Sequence, residues 1–273
     1  GVSVSSNLEG YDIGLETVRA GGSASQPDAE RPYKPVPASF EKTISAYPEQ
    51  LRDLLGHGVA KLLDYQDEAY ASLYLERVNT VVDIDNYPSR KLTKEIIKRL
   101  AIWMSFEDII RVAQLKTRPG RLNRIRQELG VDVHTPLKLT DYFKPGRDEF
   151  IGILPPSLSW VVPKWNRLDR GKGLALHIPT GTIFGFTLLK FMASLRFLRR
   201  SSSQYREEQN HILNWLGAVK IAAESDYDLA CRTARLSIWA RGYGNVRQNG
   251  QGILNNIFKN WQSKLAADMT KVS

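Results

Sequence analysis

Apolar residues recur at helical spacing in two long stretches of the first half of the chain. One stripe covers residues 51–73 and the other covers residues 92–113. The segment Asn86-Tyr87-Pro88 separates the two stripes, and Pro119-Gly120 stops the second. Two long helices joined by a short loop form an αα-hairpin, which the pattern predicts over residues 38–130.

The second half of the chain predicts an irregular crossover followed by more helices. Residues 131–180 contain six prolines and favour irregular chain with short helical pieces at best. Helical segments follow within residues 181–273, and Asp226 is a candidate N-cap between two of them. These segments cover residues 182–200, 204–224, 226–241 and 251–267. With the hairpin part and the crossover they make up a helical domain over residues 38–273.

The N-terminal stretch, residues 1–37, is rich in glycine, serine and proline. This composition is typical of a linker or of the tail of a preceding catalytic domain. Residues 2–4 predict a short strand whose sheet would lie elsewhere, and a start at Gly1 indicates a processed chain or a piece of a longer one. The predicted fold is mainly α: a multi-helix bundle with a proline-rich irregular crossover and an extended N-terminal tail.

The single cysteine, Cys231, excludes an internal disulfide and any metal site built from several cysteines. Because the chain also does not open on a secretory signal, the sequence indicates a reducing, cytoplasmic location. The longest apolar stretch, residues 183–198, is shorter than the about 20 residues of a membrane span. It also contains Lys190 and Arg196. It therefore predicts a buried or partner-facing helix and no membrane contact.

The sequence contains no complete catalytic, cofactor-binding or metal-binding pattern. The four histidines are scattered, no Gly-x-Ser-x-Gly element is present, and Cys231 lies in a helical stretch typical of a buried structural thiol. Asp83-Ile84-Asp85 resembles the opening of a calcium loop, but Tyr87-Pro88 breaks the pattern. The least favoured hypothesis is an independent enzyme with a cleft that uses Glu107, Asp108 and Arg111.

A glycine-rich element, residues 242–247, resembles a phosphate-binding loop but carries Arg247 in place of the last glycine. It also follows a predicted helix, whereas such loops follow a strand. The favoured interpretation is that Gly242 and Gly244 end a helix and that Asn249-Gly250 forms a turn. The alternative is an anion-binding nest formed by the Gly244 amide and Arg247.

The net charge of +9 favours acidic partners. The densest basic segment, called here the basic cluster, comprises Arg111, Lys116, Arg118, Arg121, Arg124 and Arg126. Charged runs are usually solvated surface, which is the favoured interpretation. The alternative is a docking surface for an acidic protein such as a ferredoxin, or for a phosphate-bearing cofactor held mostly by another chain. Nucleic-acid binding is not expected, because no recognised binding motif or stacking platform accompanies the charge.

A second basic group, Arg196, Arg199 and Arg200, ends the apolar stretch. Cations stabilise the negative end of a helix, which is a sufficient reason for their position.

Two blocks carry a resemblance to a known family. LLDYQDEAYA at residues 62–71 and WMSFEDIIRVAQLKTR at residues 103–118 resemble the helical domain at the C-terminal end of indolepyruvate oxidoreductase beta subunits and related 2-oxoacid:acceptor oxidoreductases. Residues 185–189 and 241–244 match in the same order, and residues 1–10 look like the end of the preceding gamma-type domain. Asn245 and Asn249 depart from the acidic and basic residues expected there.

The resemblance implies ferredoxin-linked oxidative decarboxylation of arylpyruvates, with thiamine diphosphate and iron–sulfur clusters as cofactors. One cysteine cannot hold a cluster, and no glycine-aspartate-glycine element for the diphosphate metal is present, so these cofactors are expected in other domains or chains. The sequence therefore predicts a non-catalytic structural or docking domain of a homo- or hetero-oligomeric oxidoreductase, with another subunit and ferredoxin as partners. The alternative is a stand-alone basic helical adaptor that binds nucleic acid or an acidic protein.

Overall fold

The computed structural model describes residues 4–19, 35–143, 151–153, 157, 176–242 and 245–272. The chain divides into two compact units, Gly1–Pro35 and Val36–Ser273. Within the part of the chain that is described, the fold is mainly α, as the sequence predicts.

The first unit contains a helix that the sequence analysis missed. Helix α1 spans Val4–Arg19, so Val4 begins a helix and the predicted strand is wrong at that residue. Residues 2 and 3 lie outside the described residues. Leu8, Tyr11 and Val18 are exposed on α1 at helical spacing, a signal that Gly10 and Gly14 weaken because glycine disfavours helix.

The first long apolar stripe forms two helices where the sequence predicts one: α3 at Glu49–Tyr65 and α4 at Glu68–Val82. A short helix, α2 at Ala38–Ser45, precedes them. The chain leaves helical geometry at Gln66, and the Asp67 carboxylate accepts the Tyr70 N–H at 2.8 Å as the N-cap of α4. The helical spacing of apolar residues continues across this break, so the break cannot be seen in the sequence pattern.

The second stripe is also interrupted. Helix α5 spans Lys91–Met104 and α6 spans Ile109–Lys116, with Asp108 as the N-cap of α6. The predicted stop at Pro119-Gly120 is confirmed, because α6 ends before it and α7, Arg121–Leu129, begins after it.

Part of the crossover forms a small sheet. Strand β1, Asp141–Phe143, pairs antiparallel with β2, Leu176–Ile178, so that Asp141 lies opposite Ile178. The sequence predicts no strand here, since each strand has only three residues. Most of the chain between the two strands lies outside the described residues.

The C-terminal segments agree with the prediction except at the last helix. Their bounds are α8 Ile183–Ser194, a first 3-10 helix Leu195–Ser201, α9 Ser203–Ser225, α10 Tyr227–Arg235, a second 3-10 helix Leu236–Ala240, and α11 Asn245–Val272. Asp226 caps α10 as predicted, since it accepts the N–H groups of Asp228 and Leu229.

The predicted Asn249-Gly250 turn is wrong, because both residues lie inside α11. A Cβ at Gly250 would overlap the carbonyl oxygen of Trp239. The glycine therefore allows α11 to lie directly against the second 3-10 helix.

The main core joins the first helices of the second unit to the last ones. Side chains from α2–α5 and from α9–α11 form one apolar cluster, in which Tyr70, Tyr74 and Trp215 are fully buried. Cys231 is buried in the same cluster, which confirms the predicted burial of this thiol. Among the described residues, no helix combines the length and the apolar character that a membrane crossing requires.

Candidate functional site

Helix α8 carries its large apolar side chains towards solvent. Its packed side is narrow: Leu189 meets Ala113 of α6 and Ile178 of β2 in a small cluster separate from the main core. The open side continues into the first 3-10 helix. It is called here the apolar face and comprises Ile183, Phe184, Phe186, Leu188 and Phe191 of α8 with Phe197 of the 3-10 helix. Ile183 is 89% exposed and Phe184 is 77% exposed. A helix that is apolar on all sides is ordinarily buried, so this face has the character of a contact surface.

The sequence of α8 fixes which side packs inward. The Thr182 hydroxyl accepts the Gly185 N–H at 3.2 Å and caps the helix. A Cβ at Gly185 would overlap the Pro179 carbonyl oxygen, so only glycine allows the helix to approach the strand end this closely. The apolar face has a basic border, since Lys190 lies over the Phe186 ring at 5.8 Å and Arg196 is exposed.

A buried ion pair attaches the end of this element to the rest of the fold. Arg199, in the first 3-10 helix, is 1% exposed, and its Nε donates to the buried Asp108 carboxylate at 2.6 Å. The same guanidinium donates to the Tyr65 carbonyl and the Gln66 side chain, and it lies 4.0 Å from the centre of the Tyr65 ring. The helix-end explanation for Arg199 is therefore incomplete, because its role is tertiary.

Most cations of the predicted basic cluster form ion pairs with carboxylates of the same chain. Arg111 and Arg118 both donate to the Asp64 carboxylate of α3, the former at 2.7 Å. Lys116 and Arg121 both donate to Asp141 of β1, at 2.6 and 2.9 Å. The structure thus divides these four cations into two groups, each neutralised in part by a carboxylate.

The remaining cations of the cluster lie on or beside α7. Arg124 forms an exposed ion pair with Glu128 at 3.5 Å, and Arg126 donates to the carbonyls of Asp132 and Thr135. Arg124 is therefore the member of the predicted set whose charge is most open to solvent.

Asp141, the first residue of β1, is a buried carboxylate with three side-chain partners. Burial alone would raise its pKa, but hydrogen bonds from Lys116, Thr180 and Arg121, with the charge of Arg121, outweigh burial and lower it. The carboxylate is therefore held ionised between α6, α7 and the sheet.

A cleft of about 320 Å³, called here the basic cleft, opens between α5 and the second 3-10 helix. Charged side chains from different elements line it: Lys61, Arg99, Glu107, Arg241 and Arg247. Trp103 and Phe106 form part of its wall. The sequence analysis missed this cleft, because its members are far apart in the chain.

Arg247 is fixed in the wall of the basic cleft by a buried carboxylate. Glu208 of α9 is 2% exposed and accepts from Arg247 Nε at 2.9 Å, from Gln251 at 2.7 Å and from the Trp103 indole at 2.9 Å. The Arg247 guanidinium also lies 4.9 Å from the centre of the Phe106 ring. Gly244, the other member of the predicted anion nest, lies outside the described residues.

The residues of the independent-enzyme hypothesis are not brought together as a catalytic set. Asp108 is paired with Arg199, Arg111 is paired with Asp64, and Glu107 is exposed at the basic cleft. Among the residues that the structure describes, no group of His, Cys, Asp and Glu side chains converges as metal ligands do.

Comparison with known proteins identifies a family and no nearer relative. Neither a curated protein nor a solved structure matches the chain. The family of unknown function DUF6537 matches residues 51–260, a range that runs from α3 into α11 and contains both the apolar face and the basic cleft. Since this match covers most of its length, the chain belongs to the DUF6537 family.

Proposed function

We propose that this chain is a structural and docking domain of a 2-oxoacid:ferredoxin oxidoreductase subunit of the indolepyruvate type. Other domains or chains carry the thiamine diphosphate and the iron–sulfur clusters and perform the oxidative decarboxylation. The resemblance of residues 62–71 and 103–118 supports the class of enzyme. In this proposal the domain is cytoplasmic and works within an oligomer.

The observation that carries the docking role is the apolar face of α8. Phenylalanine side chains on an exposed helix cost free energy in water, and contact with a second apolar surface removes that cost. The basic border at Lys190 and Arg196 favours a partner surface that is apolar in the centre and acidic at its edge. The proposed occupant is a cofactor-bearing oxidoreductase domain or subunit with such a surface.

Co-purification tests this role directly. The chain, in its full reading frame, is co-expressed with the cofactor-bearing subunits encoded beside it, and the retained thiamine diphosphate and iron are measured. Phe184→Asp with Phe191→Asp is expected to abolish retention while leaving the helical circular dichroism unchanged, because both side chains are exposed. Leu213→Asp, an exposed apolar position on α9, is the matched control and is expected to retain the partner.

Two outcomes contradict the proposal. Absence of any cofactor-bearing subunit from the purified protein removes the oxidoreductase assignment. Retention that is equal in the double variant and in Leu213→Asp removes the role of the apolar face.

The adaptor hypothesis has less support from the geometry. Arg111, Lys116, Arg118 and Arg121 each pair with a carboxylate of the same chain, so the cluster offers little unpaired charge to an acidic partner or to nucleic acid. The adaptor hypothesis would be supported if the purified chain bound nucleic acid with an affinity that falls steeply as the salt concentration rises.

A further inference from the structure

We infer that the basic cleft binds the phosphate group of a small phosphorylated molecule. This inference is independent of the docking role, since the basic cleft and the apolar face consist of different residues. It starts from the excess of cations among the described residues of the lining, which include Lys61, Arg99, Arg241 and Arg247 but, as carboxylate, only Glu107.

Two of these guanidinium groups are oriented by carboxylates. Glu208 contacts both Nε and Nη2 of Arg247, at 2.9 and 2.5 Å, whereas Glu95 accepts only from Arg99 Nε, at 2.8 Å. Within the described part of the chain, the two terminal nitrogens of Arg99 make no hydrogen bond. A planar pair of N–H donors of this kind matches two oxygens of a phosphate.

Arg241 supplies the charge with the least internal compensation. It follows the second 3-10 helix, is exposed, and forms no ion pair with any residue that the structure describes. The serine hydroxyls of the lining are already engaged: Ser105 donates to the Ala101 carbonyl of α5, and Ser237 donates to the Ala234 carbonyl of α10. Arg99 and Arg241 are therefore the principal donors that the lining offers to an anion.

The dimensions of the cleft suit a small ligand. Ligand pockets are usually about 300–1,000 Å³, so a volume of about 320 Å³ admits a small molecule. Ile102, Trp103 and Phe106 add an apolar wall beside the cations. The ligand class is therefore a small organic phosphate whose non-phosphate part contacts this wall.

Titration calorimetry at low salt tests the inference with inorganic phosphate, pyrophosphate and ribose 5-phosphate as probes. We expect Arg241→Gln and Arg99→Gln each to weaken ribose 5-phosphate binding by about tenfold, the loss of one charged hydrogen bond. Glu107→Gln is expected to tighten it, because the opposing charge is removed. Arg232→Gln is the matched control: Arg232 is an exposed arginine of α10 that pairs with Asp228 and does not line the cleft.

The outcomes are distinct. Binding that Arg241→Gln weakens and Arg232→Gln does not supports the site, and tighter binding of ribose 5-phosphate than of inorganic phosphate supports an organic ligand. Equal affinity for the two probes overturns the organic part of the inference. No binding of any probe, or equal weakening by Arg232→Gln, overturns the site itself. None of these results depends on the presence of a partner subunit, so they stand apart from the co-purification.

Discussion

At the scale of single residues, charged side chains are buried where the long helices meet. Glu208 accepts hydrogen bonds from Trp103, Arg247 and Gln251, and so joins α5, α9 and α11. A buried ion pair contributes little net stability when intact, but removing one partner leaves a buried charge without compensation.

Glu208→Gln should therefore destabilise the protein by about 3 kcal/mol, because Arg247 would lose its opposing charge. The free energy of unfolding, measured by urea denaturation, tests this expectation. Glu207→Gln, an exposed neighbour on the same helix, is the control and should leave the midpoint unchanged. Equal midpoints for the two variants would show that the buried pair is dispensable.

At the scale of elements, the sequence predicts where the helices lie but not where the two long stripes break. Apolar spacing continues through Gln66 and through residues 105–108, so periodicity alone joins helices that the structure separates. The signals for the breaks are the N-caps Asp67 and Asp108, whose short polar side chains bind the first free N–H groups. Single aspartates are too common in sequences to predict a break by themselves.

The candidate site is less predictable, because its contacts are tertiary. The sequence identifies Arg111 and Arg118 as a basic cluster, but their partner Asp64 lies 47 and 54 residues away. The sequence predicts that the apolar stretch 183–198 is either buried or faces a partner. The choice between these requires the structure, in which the exposure of Phe184 and Phe191 favours a partner-facing helix.

The link between the crossover sheet and α6 should depend on pH. Asp141 has a lowered pKa in the folded protein, so its contribution to stability is complete above the unfolded value of about 3.9 and is lost as the pH falls through the folded value. Asp141→Asn should lower stability at pH 7 and reduce its further decline below about pH 4.

Chemical denaturation at pH values from 7 down to the acid transition tests this expectation. Asp53→Asn, at an exposed position of α3, is the control and should follow the parent protein. If the free energy of unfolding fell with decreasing pH equally in Asp141→Asn and in the parent protein, the role assigned to the carboxylate would be contradicted.

At the scale of the whole second unit, one core combines helices from both ends of the sequence. Cys231 lies in it beside residues of α5 and α9. Burial raises the pKa of its thiol, and the thiolate is the reactive form, so both access and ionisation protect it in the folded state.

Cys231 should therefore react with a thiol reagent only when this core opens. We expect the labelling rate to rise along the same urea transition that circular dichroism reports. Cys231→Ala with Ser45→Cys, which moves the cysteine to an exposed position of α2, is the control and should be labelled at once without denaturant. Fast labelling of the parent protein in buffer would show that the core opens locally.

The pairing of Asp108 with Arg199 has a consequence for how this family diverges. The two residues are 91 positions apart, yet each leaves the other as an isolated charge in the interior if it changes alone. Asp108 also caps α6, so a neutral residue there removes a helix start as well as a counter-charge. We therefore expect changes at these two positions to be coupled: family members should keep both residues, or exchange both for an apolar pair together with a new cap for α6.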